Sequence, residues 1–151
     1  MRRRIAIIVV AVVALLAIGA GVLFAISRTP ANLGGTQWTL TRLVTSEQEQ
    51  PLPATRHPTI RFLVDQRQVA GFSGCNSYSA DYILLGNTLH FNSLRTTLMA
   101  CVGPGLAPDE RVMALEAAYQ QALMQVSQYA LLGDTLTLSG GGSIELTYQR
   151  G

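Results

Sequence analysis

Apolar residues along this chain follow three patterns. From Ile5 to Ile26 they run without a charged residue, and Arg2-Arg3-Arg4 precede the run. From Trp38 onward apolar and polar positions mostly alternate, as in strands with one face buried. Trp38 and Leu40 alternate with Thr39 and Thr41, which predicts a first strand. Ile60, Phe62 and Val64 share a face within 59–65, and Gln66-Arg67-Gln68 turns the chain into a partner strand over 69–72. A second hairpin is predicted where 82–85 meets Gly86-Asn87 and returns through 88–92, with Leu89 and Phe91 inward. A third pairs 135–139 with 144–148 across Gly140-Gly141-Gly142. Between the second and third hairpins the period changes. Pro108-Asp109-Glu110 suits a helix start, and Val112, Leu115, Tyr119, Ala122, Leu123, Val126 and Tyr129 recur at helical spacing up to a stop at Gly133. The segment 47–58, with three prolines, reads as a loop. The expected class is α+β: an antiparallel sheet packed on one long helix.

The N-terminal run is long enough to matter. Its 22 residues form a helix roughly 33 Å long at ~1.5 Å per residue, matching a hydrocarbon core of about 30 Å. A signal-peptide core runs about 7–15 residues, so length favours an uncleaved transmembrane helix, with secretion after signal cleavage as the alternative. Arginines at 2–4 against Arg28 alone on the far side put the N-terminus in the cytoplasm and the domain outside. The expected organisation is a basic flank at 1–4, an anchor at 5–26, a Pro- and Gly-containing linker at 27–35 and a folded domain at 36–151. The partner expected through residues 5–26 is the cytoplasmic membrane.

Charge changes the picture once the anchor is set aside. The chain carries eleven basic and nine acidic residues, but four of the basic ones are Arg2, Arg3, Arg4 and Arg28. From Leu33 onward seven arginines face nine acids, and lysine is absent. A slightly acidic domain offers no basic stripe for nucleic acid.

Candidate chemistry concentrates at 71–78, Gly-Phe-Ser-Gly-Cys-Asn-Ser-Tyr, whose glycines and Asn76 permit a constrained crossing between strands. Ser73 sits as in a nucleophile elbow, yet Cys75 stands where that motif has glycine, and no strand-turn-helix context surrounds it. A thiol nucleophile would need His57 or His90 beside Cys75 or Cys101. His57 lies in the proline-bounded loop and His90 on the polar side of its strand, so both are expected in solvent. The same four residues lack the close pairing of a structural zinc site. An extracytoplasmic address makes a Cys75–Cys101 disulfide the better reading. Asp109 and Glu110 suit the helix start, while Asp81, Asp134 and Glu145 are scattered. No metal, cofactor or catalytic residue is expected.

Taken together, Trp38-Thr-Leu, Gly74-Cys75-Asn76 with Tyr78 and Tyr82, the run Thr97-Leu-Met99-Ala-Cys101, Glu110, and the endings Leu136-Thr-Leu and Leu146-Thr-Tyr resemble the META domain of HslJ-like bacterial proteins over Gly34 to Tyr148. The resemblance implies a strongly bent antiparallel sheet with one helix, in an exported or envelope-attached protein. It also implies structural roles for Trp38, Gly74, Asn76, Tyr78, Tyr82, Thr97 and Met99. Some relatives are linked to heat-shock induction and novobiocin resistance, and the family has no agreed reaction. The expected function is thus a non-enzymatic binding or envelope-stress module, with an unidentified envelope protein or small ligand as partner. The alternative is a small-ligand carrier or enzyme using the concave sheet face.

Overall fold

The computed structural model describes residues 33–103 and 107–151. The basic flank, the anchor at 5–26 and most of the linker lie outside the described residues. Among the described residues no helix is long and apolar enough to cross a membrane.

Among the described residues nine strands and one α-helix follow in order: β1 (Gln37–Thr45), β2 (Gln48–Glu49), β3 (Thr59–Leu63), β4 (Gln68–Phe72), β5 (Ser77–Leu85), β6 (Thr88–Thr96), α1 (Glu110–Met124), β7 (Val126–Leu132), β8 (Thr135–Gly140) and β9 (Ile144–Arg150). All strand pairs are antiparallel, in the spatial order β2-β1-β3-β4-β5-β6-β7-β8-β9. β9 also pairs with β1, from Trp38↔Arg150 to Val44↔Glu145. The expected bent antiparallel sheet therefore closes on itself as an eight-stranded barrel, with β2 a short flap on β1. Closure removes the exposed edges that an open sheet leaves available for mispairing.

The three predicted hairpins form in place. The helix differs from expectation at its end. Asp109 caps it by accepting a hydrogen bond from the Val112 amide at 3.2 Å. It stops at Met124 rather than at Gly133, and 126–132 becomes β7. Val126 and Tyr129 continue the helical period, but Tyr129 and Leu131 alternate as on a barrel stave, and the barrel needs this stave to close. The change of course is possible because Gly140 carries no side chain: a Cβ there would be driven into the carbonyl of Gln125, where the helix hands over to the strand. In the expected loop, Gln48 and Glu49 pair with Thr45 and Val44. Leu33 is fully buried and Gly34 bridges Phe62, so packing reaches into the end of the expected linker.

The core is the barrel interior. Trp38, Leu40 and Leu43 of β1, Phe62 of β3, and Leu146 and Tyr148 of β9 meet Tyr119 and Leu123 of α1 there. A bulge between Leu40 and Arg42 lets β1 keep pointing its apolar residues inward. Burying a side chain of this size contributes about 1.5–3 kcal/mol. The interior is thereby filled with side chains.

Candidate functional site

The crossing between β4 and β5 is the most polar buried place among the described residues. Gly74 has φ +107°, a conformation that side chains rarely adopt, and this lets the backbone fold back so that the Ser73 amide donates to the Asn76 carbonyl at 2.8 Å. Among the described residues Ser73 and Asn76 are the buried polar ones outside the apolar core. Cys75 and Cys101 are joined in a disulfide with Cα atoms 5.6 Å apart, tying the crossing to the approach to α1.

Asn76 works as a staple. Its amide oxygen accepts from the Met99 amide at 2.7 Å and from the Thr97 hydroxyl at 2.9 Å. Its backbone and side-chain amides donate to the two carboxylate oxygens of Glu116, at 2.8 and 2.9 Å. The Ser73 hydroxyl also bonds Glu116, and Gln120 donates to that hydroxyl at 3.3 Å. Glu116 is the residue that sequence reasoning missed. It sits four residues after Val112 and three before Tyr119, on the apolar stripe of the helix, and a carboxylate on a core-facing stripe was the available signal.

The expected motif residues divide between two places. Gly74, Asn76, Thr97 and Met99 gather around the disulfide. Trp38, Tyr78 and Tyr82 belong to the barrel interior. Tyr82 meets Phe62 edge-on, with centroids 5.4 Å apart. The Tyr78 hydroxyl lies 2.8 Å from that of Tyr119, which accepts from Tyr148 at 3.1 Å. Burial, reinforced by the neighbouring tyrosines, pushes Tyr78, Tyr119 and Tyr148 well above the ordinary value of 10.0 and keeps them neutral.

Neither histidine joins the cysteines. His57, half-buried rather than solvated, places Nδ1 3.1 Å from the Leu40 carbonyl. His90 places Nδ1 3.1 Å from the Val126 carbonyl, across the gap between β6 and β7. Asp109 is occupied as the helix cap, and Asp81 and Asp134 pair with Arg95 and Arg150. Glu145 pairs with Arg42. The cluster of potential metal-ligating groups found among the described residues is Cys75, Cys101 and Glu116, and disulfide sulfurs offer no thiolate to a metal.

Above the staple lies a surface groove of about 480 Å³, lined by Asn76, Leu98, Met99, Met113, Glu116 and Gln120. Leu98 is 93% exposed on its rim, Met99 59% and Met113 49%. A separate cleft of about 520 Å³ runs between the proline loop at Pro51–Pro53 and the first turns of α1.

A small antiparallel barrel plugged by a single helix, with a disulfide-stapled crossing at its rim, is the class this architecture defines. The sequence matches the META domain family over residues 31–150, and the chain belongs to that family. It resembles an NMR structure of a protein from Burkholderia xenovorans at 27% identity, with a TM-score of 0.63 over 80% of this chain and 84% of the other. A second NMR structure shares the fold at 24% identity, with a TM-score of 0.57 over 81% and 94% of the two chains. No curated protein matches the sequence.

Proposed function

We propose that this META domain is a non-enzymatic binding module, held outside the cytoplasmic membrane by residues 5–26 and serving the envelope under stress. Its contact surface is the groove rimmed by Leu98, Met99 and Met113, and its partner is an apolar segment of an envelope protein. The observation that carries the reading is the exposure of Leu98 and Met99, on a stretch whose backbone Asn76 and the disulfide hold fixed, beside Met113 on α1. Apolar groups fixed at the surface bind without the entropic cost of ordering a loop. The filled barrel interior favours this reading over a small-ligand carrier or an enzyme using the concave face.

The test is photo-crosslinking in intact membranes with a reactive side chain at position 98, compared with one at exposed Gln128 on β7. A discrete adduct at 98 that is absent at 128, and that disappears with Met113→Asp, is the expected result. Equal labelling at the two positions would defeat the proposal. Protease added to spheroplasts should degrade the domain, and protection equal to that of a cytoplasmic marker would remove the membrane part of the reading.

A further inference from the structure

The disulfide conceals a second state of the same residues. We propose that, once Cys75–Cys101 is reduced, the two thiolates and the Glu116 carboxylate bind a thiophilic divalent cation of the Zn2+ class.

The spacing of the three groups suits one ion. The sulfurs and a Glu116 oxygen all lie within 4.8 Å of one another. A tetrahedral centre with metal–sulfur bonds of about 2.3 Å and metal–oxygen bonds of about 2.0–2.2 Å puts its ligand atoms roughly 3.5–3.8 Å apart. Cys101 Sγ already stands 3.7 Å from Glu116 Oε2. The Cα separation of 5.6 Å lets both cysteines reach one ion after small side-chain rotations, and reduction is the event that allows the sulfurs to part. Glu116 is pre-oriented: Ser73 and the Asn76 amide hold Oε1, and the Asn76 side chain holds Oε2, the oxygen that faces Cys101 Sγ. Hydrogen-bonded outer partners of this kind fix a ligand and raise its affinity.

Charge points the same way. Cys75 and Cys101 are 8% and 5% exposed, and none of the four ion pairs among the described residues includes Glu116. Two thiolates beside a carboxylate in so enclosed a place repel one another. A reduced pair therefore either keeps its protons or takes a cation. The groove reaches Cys101 and Glu116, so a water can supply the fourth ligand.

Atoms and electrons balance in two steps. A dithiol donor, or a phosphine with water in vitro, supplies two electrons and two protons, breaking the S–S bond to give two thiols and leaving as its disulfide or phosphine oxide. The cation then forms two metal–sulfur bonds as both thiol protons pass to solvent.

The experiment is a Co2+ titration of the full chain in detergent, before and after reduction with a phosphine. Thiolate-to-cobalt charge-transfer absorption saturating at one equivalent, with release of two protons and displacement by Zn2+, is expected only after reduction. Glu116→Gln should weaken Co2+ binding by about tenfold or more. No charge-transfer band in a reduced chain that stays folded by NMR would overturn the proposal, as would a folded Glu116→Gln variant with unchanged affinity. Should that variant fail to fold, the wild-type chain decides: Zn2+ must raise the Tm of the reduced form and leave the oxidised form unmoved, and the absence of that difference overturns the site.

Discussion

The barrel is closed at two seams between strands distant in sequence. Between β1 and β9 six registered pairs run the length of both strands. Arg42 reaches Glu145 across that seam, Arg150 lies over the Trp38 ring at 4.8 Å, and Trp38 and Tyr148 are fully buried beneath it. Between β6 and β7 there is one registered pair, Thr88↔Gln128, supported by the Tyr129 amide donating to the Asn87 carbonyl at 3.0 Å and by His90 against Val126. Beyond that point α1 covers the opening, with Gln120 reaching Thr96 at 3.4 Å. The first seam is held by its own ladder and core. The second depends on a helix, and the helix is held by Glu116 and by the disulfide that anchors its approach. The polar staple and the candidate contact surface therefore lie on the side of the barrel where the backbone ladder is weakest.

The largest expected effect comes from cutting the covalent tie. Closing a loop of 26 residues' separation contributes about 3.5 kcal/mol by chain entropy. Cys75→Ser with Cys101→Ser should lower the Tm by the corresponding amount in calorimetry. Amide exchange should then rise first at 97–101 and in α1, while β1 and β9 keep their protection. Equal acceleration at both seams would break the comparison.

A smaller effect is expected at the handover from α1 to β7. Gly140→Ala drives its methyl group into the Gln125 carbonyl and should cost about 1–3 kcal/mol in denaturant unfolding. Gly141→Ala, one residue on, meets open space and serves as the control. Equal stability for the two variants would mean that the handover tolerates movement and that the open seam is looser than the ladder suggests.

These two sites also show how far the sequence could be read. Hairpins were legible because alternation and the Gly86-Asn87 turn are local signals, and the disulfide because two cysteines allow one pairing. The β1–β9 seam was not, because nothing at Trp38 or Arg150 names a partner more than a hundred residues away. At 126–132 a helical and a strand period both fit, and the stave required for closure decided between them. The cysteines and Asn76 stood out by type, whereas Glu116 was hidden inside a helical run read for its apolar stripe. Its role emerged only when folding placed three donors around it.

The smallest expected effect tests whether surface charge compensates on the weakly laddered side. Asp81 on β5 accepts from Gln68 at 2.8 Å and from Arg95 of β6 at 3.1 Å, linking β4, β5 and β6 along the outer face. The hydrogen bond from Arg95, followed by that from Gln68, holds its carboxyl below the ordinary value of 3.8. A depressed folded-state value means that the stabilisation is present above the unfolded value near 3.8 and is lost as pH falls through the lower folded one. Arg95 and Asp81 are 54% and 38% exposed, so solvent screens the pair and the loss should be small. An NMR titration of the Asp81 carboxyl should give a midpoint below 3.8 that rises toward it in Arg95→Ala, with little change in Tm at neutral pH. A large neutral-pH loss in that variant would show that the outer face of β6 carries part of the load assigned here to α1 and the disulfide, and a wild-type midpoint at or above 3.8 would remove the pair from the argument.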